Sequence, residues 1–267
     1  MNQNRLPTVL ALVCAATLSA CSTSQPSTET FVWKGPVSRD EWLRLRNSNG
    51  DFDVTEGTGD SAEIRLTIER SNQYAPGAQV KVLKTSDGVL ACVLFGEKNV
   101  CTSTKYDGGR SSLAGFLPFL RGRTSVSGSV VLPRGVKLDI ESTNGDVTVA
   151  AASNAAIVTT TNGDIVVNKA RGALTVKSTN GDVQIGVDSS GGDALIQTTN
   201  GDVEMSMPPT LDAALTMQTV NGTLEMGFPG NITTLTKKEI IAQIGKPGVK
   251  LTLQSTNGDL TLKPRTP

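Results

Sequence analysis

Acidic residues recur in one setting along this chain, the tripeptide Asn-Gly-Asp. It begins at Asn49, Asn144, Asn162, Asn180, Asn200 and Asn257, with Asn221-Gly222-Thr223 as a variant. Repeated carboxylates could serve acid–base chemistry or hold calcium. Calcium takes about six to eight oxygens, and one Asp per repeat supplies few of them. The glycine-rich nonapeptide of calcium-binding β-rolls is also missing. A polysaccharide-cleaving β-helix enzyme would interrupt its repeat with an unusual residue cluster, and none stands out. The sequence has no histidine. That removes the commonest general base, the usual partner of a Ser or Cys nucleophile, and the most used metal ligand. The expectation is no enzyme, no metal and no cofactor.

Cysteine is the second chemistry-bearing type. Residues Met1 to Arg5 are polar with one positive charge, and Leu6 to Ala16 is a mostly apolar run. That run is too short to span a bilayer, where about 20 residues are needed, and reads as a signal h-region. Leu18-Ser19-Ala20-Cys21 follows and resembles the lipobox of bacterial lipoproteins. The resemblance implies cleavage after residue 20 and lipidation of Cys21 with acyl chains such as palmitate. Ser22, not Asp, implies transfer to the outer membrane in a two-membrane organism. Cys14 lies inside the signal, which leaves Cys92 and Cys101 in an oxidising compartment. A type II′ turn at Gly96-Glu97 would set Cys92 opposite Cys101 in a hairpin, so a disulfide is expected there. A metal or redox site from two cysteines without histidine is the weaker alternative.

The 25 basic and 25 acidic residues cancel. Removing residues 1–20 takes away only Arg5, so no polyanion-binding surface and no nucleic-acid partner are expected. At 267 residues the chain can bury a core, as one large domain or two small ones.

The elements that must carry these residues follow from the flanks of each Asn-Gly. The repeats from Asn144 to Asn221 are 18, 18, 20 and 21 residues apart, and Asn257 comes 36 later. Four residues before each Asn stands Leu45, Ile140, Val158, Val176, Ile196, Met217 or Leu253. Positions three and five after it are also apolar, from Phe52 and Val54 to Leu260 and Leu262. Position −2 is Ser or Thr except at Asn47, and such side chains can hydrogen-bond backbone near a corner. This alternation predicts two half-buried strands joined at Asn-Gly, where both residues tolerate positive φ. The candidate corners are Asn49-Gly50, Asn144-Gly145, Asn162-Gly163, Asn180-Gly181, Asn200-Gly201, Asn221-Gly222 and Asn257-Gly258. The near-constant step favours an all-β solenoid, or β-roll, with coils of about 18–21 residues. A hairpin meander or sandwich is the alternative.

The Thr-Asn-Gly-Asp-Val units resemble a bacterial β-strand-repeat family of unestablished function called "putative adhesins". Ser127 to Leu138, leading through Pro133-Arg134-Gly135, is similar to that family's lead-in strand. The resemblance covers about residues 40–264 and implies no catalytic residues.

The organisation expected is a signal over 1–20, a flexible tether over 21–30, an irregular β region over 31–135 continuous with the repeats, and the repeat region 136–264. Residues 106–128 read as the main irregular segment. There Phe116 and Phe119, with Arg121 and Arg123, make either a loop tucked over the sheet end or a contact loop for a partner or membrane. Residues 236–245 read as an insertion, one helical turn or an irregular strand, within a second non-repeating stretch at 229–248. The function expected is a non-catalytic envelope lipoprotein, adhesin-like or structural, with an accessory or sensor protein as the alternative. Its partners would be the membrane, through the lipid, and a protein or surface.

Overall fold

The computed structural model describes residues 26–96, 99–109, 112–113, 122–188 and 191–265. Its strands begin with β1 (Ser27–Pro36), β2 (Trp42–Arg46), β3 (Phe52–Gly57), β4 (Ser61–Arg70), β5 (Ala78–Thr85) and β6 (Gly88–Phe95). Short β7 (Val100–Cys101), β8 (Tyr106–Asp107) and β9 (Ser112–Leu113) precede the long β10 (Gly122–Pro133). Strand pairs then flank successive Asn-Gly steps. They are β11 (Lys137–Asn144) and β12 (Val147–Val149), β13 (Ala156–Asn162) and β14 (Ile165–Ala170), and β15 (Leu174–Asn180) and β16 (Val183–Val187). Next come β17 (Ala194–Asn200) and β18 (Val203–Met207), then β19 (Ala213–Asn221) and β20 (Leu224–Met226). The chain closes with β21 (Asn231–Leu235), β22 (Glu239–Ile244), β23 (Val249–Asn257) and β24 (Leu260–Pro264).

The strand before each Asn-Gly and the strand after it lie in different sheets. One sheet runs β1-β4-β10-β3-β12-β14-β16-β18-β24-β20, with β9 beside β10, and the other runs β21-β22-β19-β23-β17-β15-β13-β11-β2-β6-β5. Equivalent strands pair in parallel, Asn144 with Asn162, Asn162 with Asn180 and Asn180 with Asn200. This is a β-solenoid, and the hairpin meander does not occur. The aliphatic positions at −4, +3 and +5 point between the sheets and form one core. Only Leu224 and Met226, on the last strand of their sheet, are half-buried.

The distant copy at Asn49 joins the same stack of coils. Strand β2 pairs with β11 and β3 with β12, so this coil stacks against repeats from which it is remote in sequence. Its Asn49 Nδ2 donates to Thr124 O at 2.9 Å and Asn144 Nδ2 to Ser48 O at 3.0 Å, so the two asparagines do not bond to each other. The C-terminal coil is out of sequence order. Strand β23 lies between β17 and β19, and β24 between β18 and β20. Asn257 therefore sits between Asn200 and Asn221. The cause is the segment expected to be an insertion. It forms β22, which pairs antiparallel with the outer edge of β19 and with β21. It has no helical turn. The chain then turns at Gly245, φ 63°, where Lys246 N–H donates to Asp212 Oδ1 at 3.0 Å, and slips inside the coil it has just passed.

Two further expectations are corrected. Ser27–Thr30 of the expected tether belong to β1, which pairs with β4 from Ser27–Arg70 onward, so backbone pairing captures a segment that lacks apolar periodicity. The irregular stretch 106–128 contains β8 and the start of β10. Its residues from Thr124 pair with β4 because Thr124, Val126 and Val130 carry the inward alternation. Cys21, Phe116, Phe119 and Arg121 lie outside the described residues.

Candidate functional site

The Asn-Gly corners stack into three hydrogen-bonded columns along one edge of the solenoid. Asn162 Nδ2 donates to Asn144 Oδ1 at 2.8 Å, Asn180 to Asn162 at 2.9 Å and Asn200 to Asn180 at 2.8 Å. Asn257 and Asn221 extend the ladder at 2.7 and 2.8 Å. In the second column each Asp accepts the backbone N–H of the next coil. Asp51, Asp146, Asp164 and Asp182 receive Asp146, Asp164, Asp182 and Asp202 at 2.8–2.9 Å. The hydrogen bond that Asp259 accepts from Thr223 N–H holds its carboxyl below the ordinary range. The third column is the buried −2 position, where Thr160, Thr198, Thr219 and Ser255 donate to glycine carbonyls of the neighbouring coil at 3.0–3.3 Å. The columns satisfy groups that stacking would otherwise strand, except at Ser142, whose buried Oγ has no hydrogen-bond partner.

Glycine is required at these corners for a reason the turn argument did not reach. A Cβ on Gly163 would strike the carbonyl oxygen of Gly145, and one on Gly181 that of Gly163. The same holds for Gly145, Gly201, Gly258 and Gly222 against the coils they stack on. Gly145, Gly163, Gly181 and Gly201 have φ of 141–154°, whereas the asparagines are not at positive φ. The expectation of positive φ at Asn is therefore corrected: Asn is selected for its ladder.

Cys92 and Cys101 form the expected disulfide, with Cα atoms 6.2 Å apart. The expected hairpin does not form. Strand β6 pairs with β2 and β5, and Cys101 pairs with Tyr106 in the small β7–β8 ribbon. The disulfide ties this ribbon over the outer face of β6, where Leu90, Leu94, Leu83 and Tyr106 pack around it. Every residue of β6 is buried, because the core covers one face and the flap the other. Tyr106 Oη donates to Val93 O at 2.8 Å, and burial pushes its phenol up to about 12. Beside the flap, Arg46 pairs with Asp139 at 2.6 Å and Arg44 with Asp87 at 2.6 Å, while Arg44 lies 5.3 Å over the Trp42 ring. The Arg44 hydrogen bond holds the Asp87 carboxyl down to about 2.

On the opposite edge, Glu56 is 8% exposed and sits between Arg134 at 3.4 Å and Arg171 at 3.6 Å, with Arg171 also bonded to Asp188 at 2.9 Å. Arg123, the one described member of the expected contact loop, is exposed in β10 and joined to Ser71, its N–H donating to Ser71 Oγ at 2.8 Å.

The outer face of the β13–β15–β17–β23–β19 sheet carries a shallow trough of about 800 Å³. Its floor is the −1 column, Thr161, Thr179, Thr199 and Thr256 ending at Val220, and the −3 column, which includes Gln197, Gln254 and Gln218. Gln197 donates to Gln254 at 2.7 Å, Gln254 to Gln218 at 2.9 Å and Gln218 to Glu239 at 2.6 Å. The sequence pointed to stacked polar side chains on an extended face but not to these columns as the site. Their signal was present, since −1 is Thr at five of the seven corners, the two others being Ser48 and Val220. Among the described residues, no cluster of three His, Cys, Asp or Glu could hold a metal.

Stacked parallel coils, ladders along the corners and a polar outer face define a β-solenoid repeat module. The chain belongs to the Toastrack DUF4097 family, whose model matches residues 36–263. Among curated proteins, no relative matches the chain. A "putative cell adhesion protein" from Clostridium sporogenes is 11% identical with a TM-score of 0.45, over 90% of this chain and 100% of that one. A "putative adhesin" from Bacteroides fragilis is 13% identical with a TM-score of 0.36, over 89% of this chain and 97% of that one.

Proposed function

We propose that this protein is a non-catalytic, lipid-anchored module of the cell envelope, adhesin-like, that holds a surface partner on the outer face of its solenoid. The observation that carries the reading is the trough, a concave polar surface continuous over five coils. Repeat arrays make such surfaces readily, because each unit presents the same side chain one step further on. The carboxylates of the Asn-Gly-Asp corners are occupied with neighbouring backbone amides, which accounts for their recurrence through stacking. The anchor rests on the lipobox-like Leu18-Ser19-Ala20-Cys21. Pro26 follows Cys21 by five residues, a reach of roughly 17 Å when extended, so the lipid would sit near the start of β1.

Two measurements test this reading. A clickable palmitate analogue should label the wild-type chain in the envelope fraction and fail to label Cys21→Ser. Cells displaying the chain should retain neighbouring cells or extracellular matrix, and cells with the gene deleted should not. Unlabelled protein in the soluble fraction removes the anchor. Equal retention by both strains removes the adhesive role and leaves an accessory or sensor protein of the envelope.

A further inference from the structure

We propose that the trough over β13, β15, β17, β23 and β19 binds an extended, uncharged glycan chain lying along the solenoid axis. The inference rests on the reading of this protein as a surface-binding module and names the chemistry of its partner.

The shape sets the class of ligand. Five strands at about 4.8 Å give a floor roughly 19 Å long, and the concavity runs across them. A linear polymer with a rise per unit near one coil step would meet the same two side chains at each unit. A peptide has no such advantage. The five floor strands are paired on both sides, so no free strand edge is available for backbone addition. Of the lining residues Val220 alone is apolar, and neither an aromatic residue nor an arginine is among them. The anchors that dominate protein–protein interfaces are thus missing.

The chemistry narrows the class further. Threonine hydroxyls and glutamine carboxamides each donate and accept, as do sugar hydroxyl and acetamido groups. The Gln197–Gln254–Gln218–Glu239 ladder uses one N–H of each glutamine. It fixes three carboxamides in orientation while the second N–H of each remains for a ligand. Thr161, Thr179, Thr199 and Thr256 are exposed beside them.

Charge disfavours a polyanion. Lys177, Lys238 and Glu239 are the ionic lining residues. Lys238 Nζ donates to Gly222 O at 3.1 Å and Glu239 accepts from Gln218. What remains is too little positive field to concentrate an anionic chain. Without stacking aromatics each contact is weak, and tight attachment would come from many copies on one polymer.

Titration of the purified full chain with chitohexaose, followed by threonine methyl NMR, tests the proposal. Expected are saturable shifts of Thr161, Thr179, Thr199 and Thr256 with a Kd of about 1 mM or tighter. Gln254→Ala and Thr199→Lys should each weaken binding at least tenfold while the remaining spectrum shows an intact fold. Thr148→Lys, on the opposite sheet, should leave it unchanged. No shift of these methyls, shifts located elsewhere, or tighter binding of a heparin hexasaccharide would each overturn it. Cell retention without trough shifts would remove the glycan and keep the adhesive role. Trough shifts without cell retention would do the reverse.

Discussion

Gly181 shows how one residue serves two constraints. Its φ of 152° is one that side-chain-bearing residues rarely adopt, and its Cα faces the carbonyl of Gly163 with no room for a methyl group. Gly181→Ala is expected to destabilise by about 1–3 kcal/mol in urea unfolding, the range for forced overpacking. Asn180→Ala removes two ladder hydrogen bonds, to Asn162 and from Asn200, and should cost about 1–3 kcal/mol at 0.5–1.5 each. Tyr106 gives a pH signature. Its phenol is raised from 10.0 to about 12, so the folded state favours the neutral form. That contribution is complete below pH 10 and is lost as pH rises through about 12. In a Tyr74→Phe background, an ultraviolet titration should show the phenol still protonated at pH 11, and ionisation near pH 10 would contradict its burial.

At the scale of elements, two fastenings hold segments that the repeat does not organise. The Cys92–Cys101 bridge joins residues at a sequence separation of nine and pins the β7–β8 ribbon on β6. Replacing both cysteines by serine should cost about 2–3 kcal/mol by loop entropy. Exposure of Leu90 and Leu94 to a hydrophobic dye should accompany it, with the Asn ladder resonances unmoved. The second fastening is Glu56, whose side chain is largely buried and whose Oε2 pairs with Arg134 and Arg171 while Oε1 has no hydrogen-bond partner. Arg171 also holds Asp188 and is less exposed than Arg134, 37% against 68%. Arg171→Ala should therefore destabilise more than Arg134→Ala. In a Glu56→Gln background the Arg134→Ala cost should fall below about 0.5 kcal/mol, and the Arg171→Ala cost should shrink to the part owed to Asp188, because the charge at Glu56 is gone. Unchanged costs in that background would assign the arginines a packing role instead.

For the whole molecule, the defining feature is the C-terminal coil inserted between two coils adjacent in sequence. Asn200 and Asn221 both pair with Asn257 in the same register, so β17 and β19 are matched surfaces held apart by β23. A chain ending at residue 248 is expected to close this gap, stacking β19 directly on β17. Cysteines placed at Gln197 and Gln218 report it. In the full chain Gln254 lies between them, leaving their Cα atoms roughly 9.6 Å apart, beyond the reach of a disulfide. In the shortened chain they become neighbours and should oxidise to a bridge. Failure to bridge, with the shortened chain still folded, would show that β17 and β19 do not restack.

Repeats were the legible part of the sequence. Period-two alternation around Asn-Gly fixed the strand pairs, their inward faces and the coil length, because burial of one face imposes that pattern locally. The same locality allowed Cys92 and Cys101 to be paired, since the eight residues between them are too few to separate them far. Stacking order was not legible. Every coil offers the same ladder groups, so sequence alone does not decide whether Asn257 follows Asn221 or slides beneath it. The antiparallel pairing of β22 on β19 settles that by occupying the outer edge first. The trough is a tertiary product for the same reason. Gln197, Gln254 and Gln218 span three elements from residue 194 to 257, and only the inserted coil brings their carboxamides into one line.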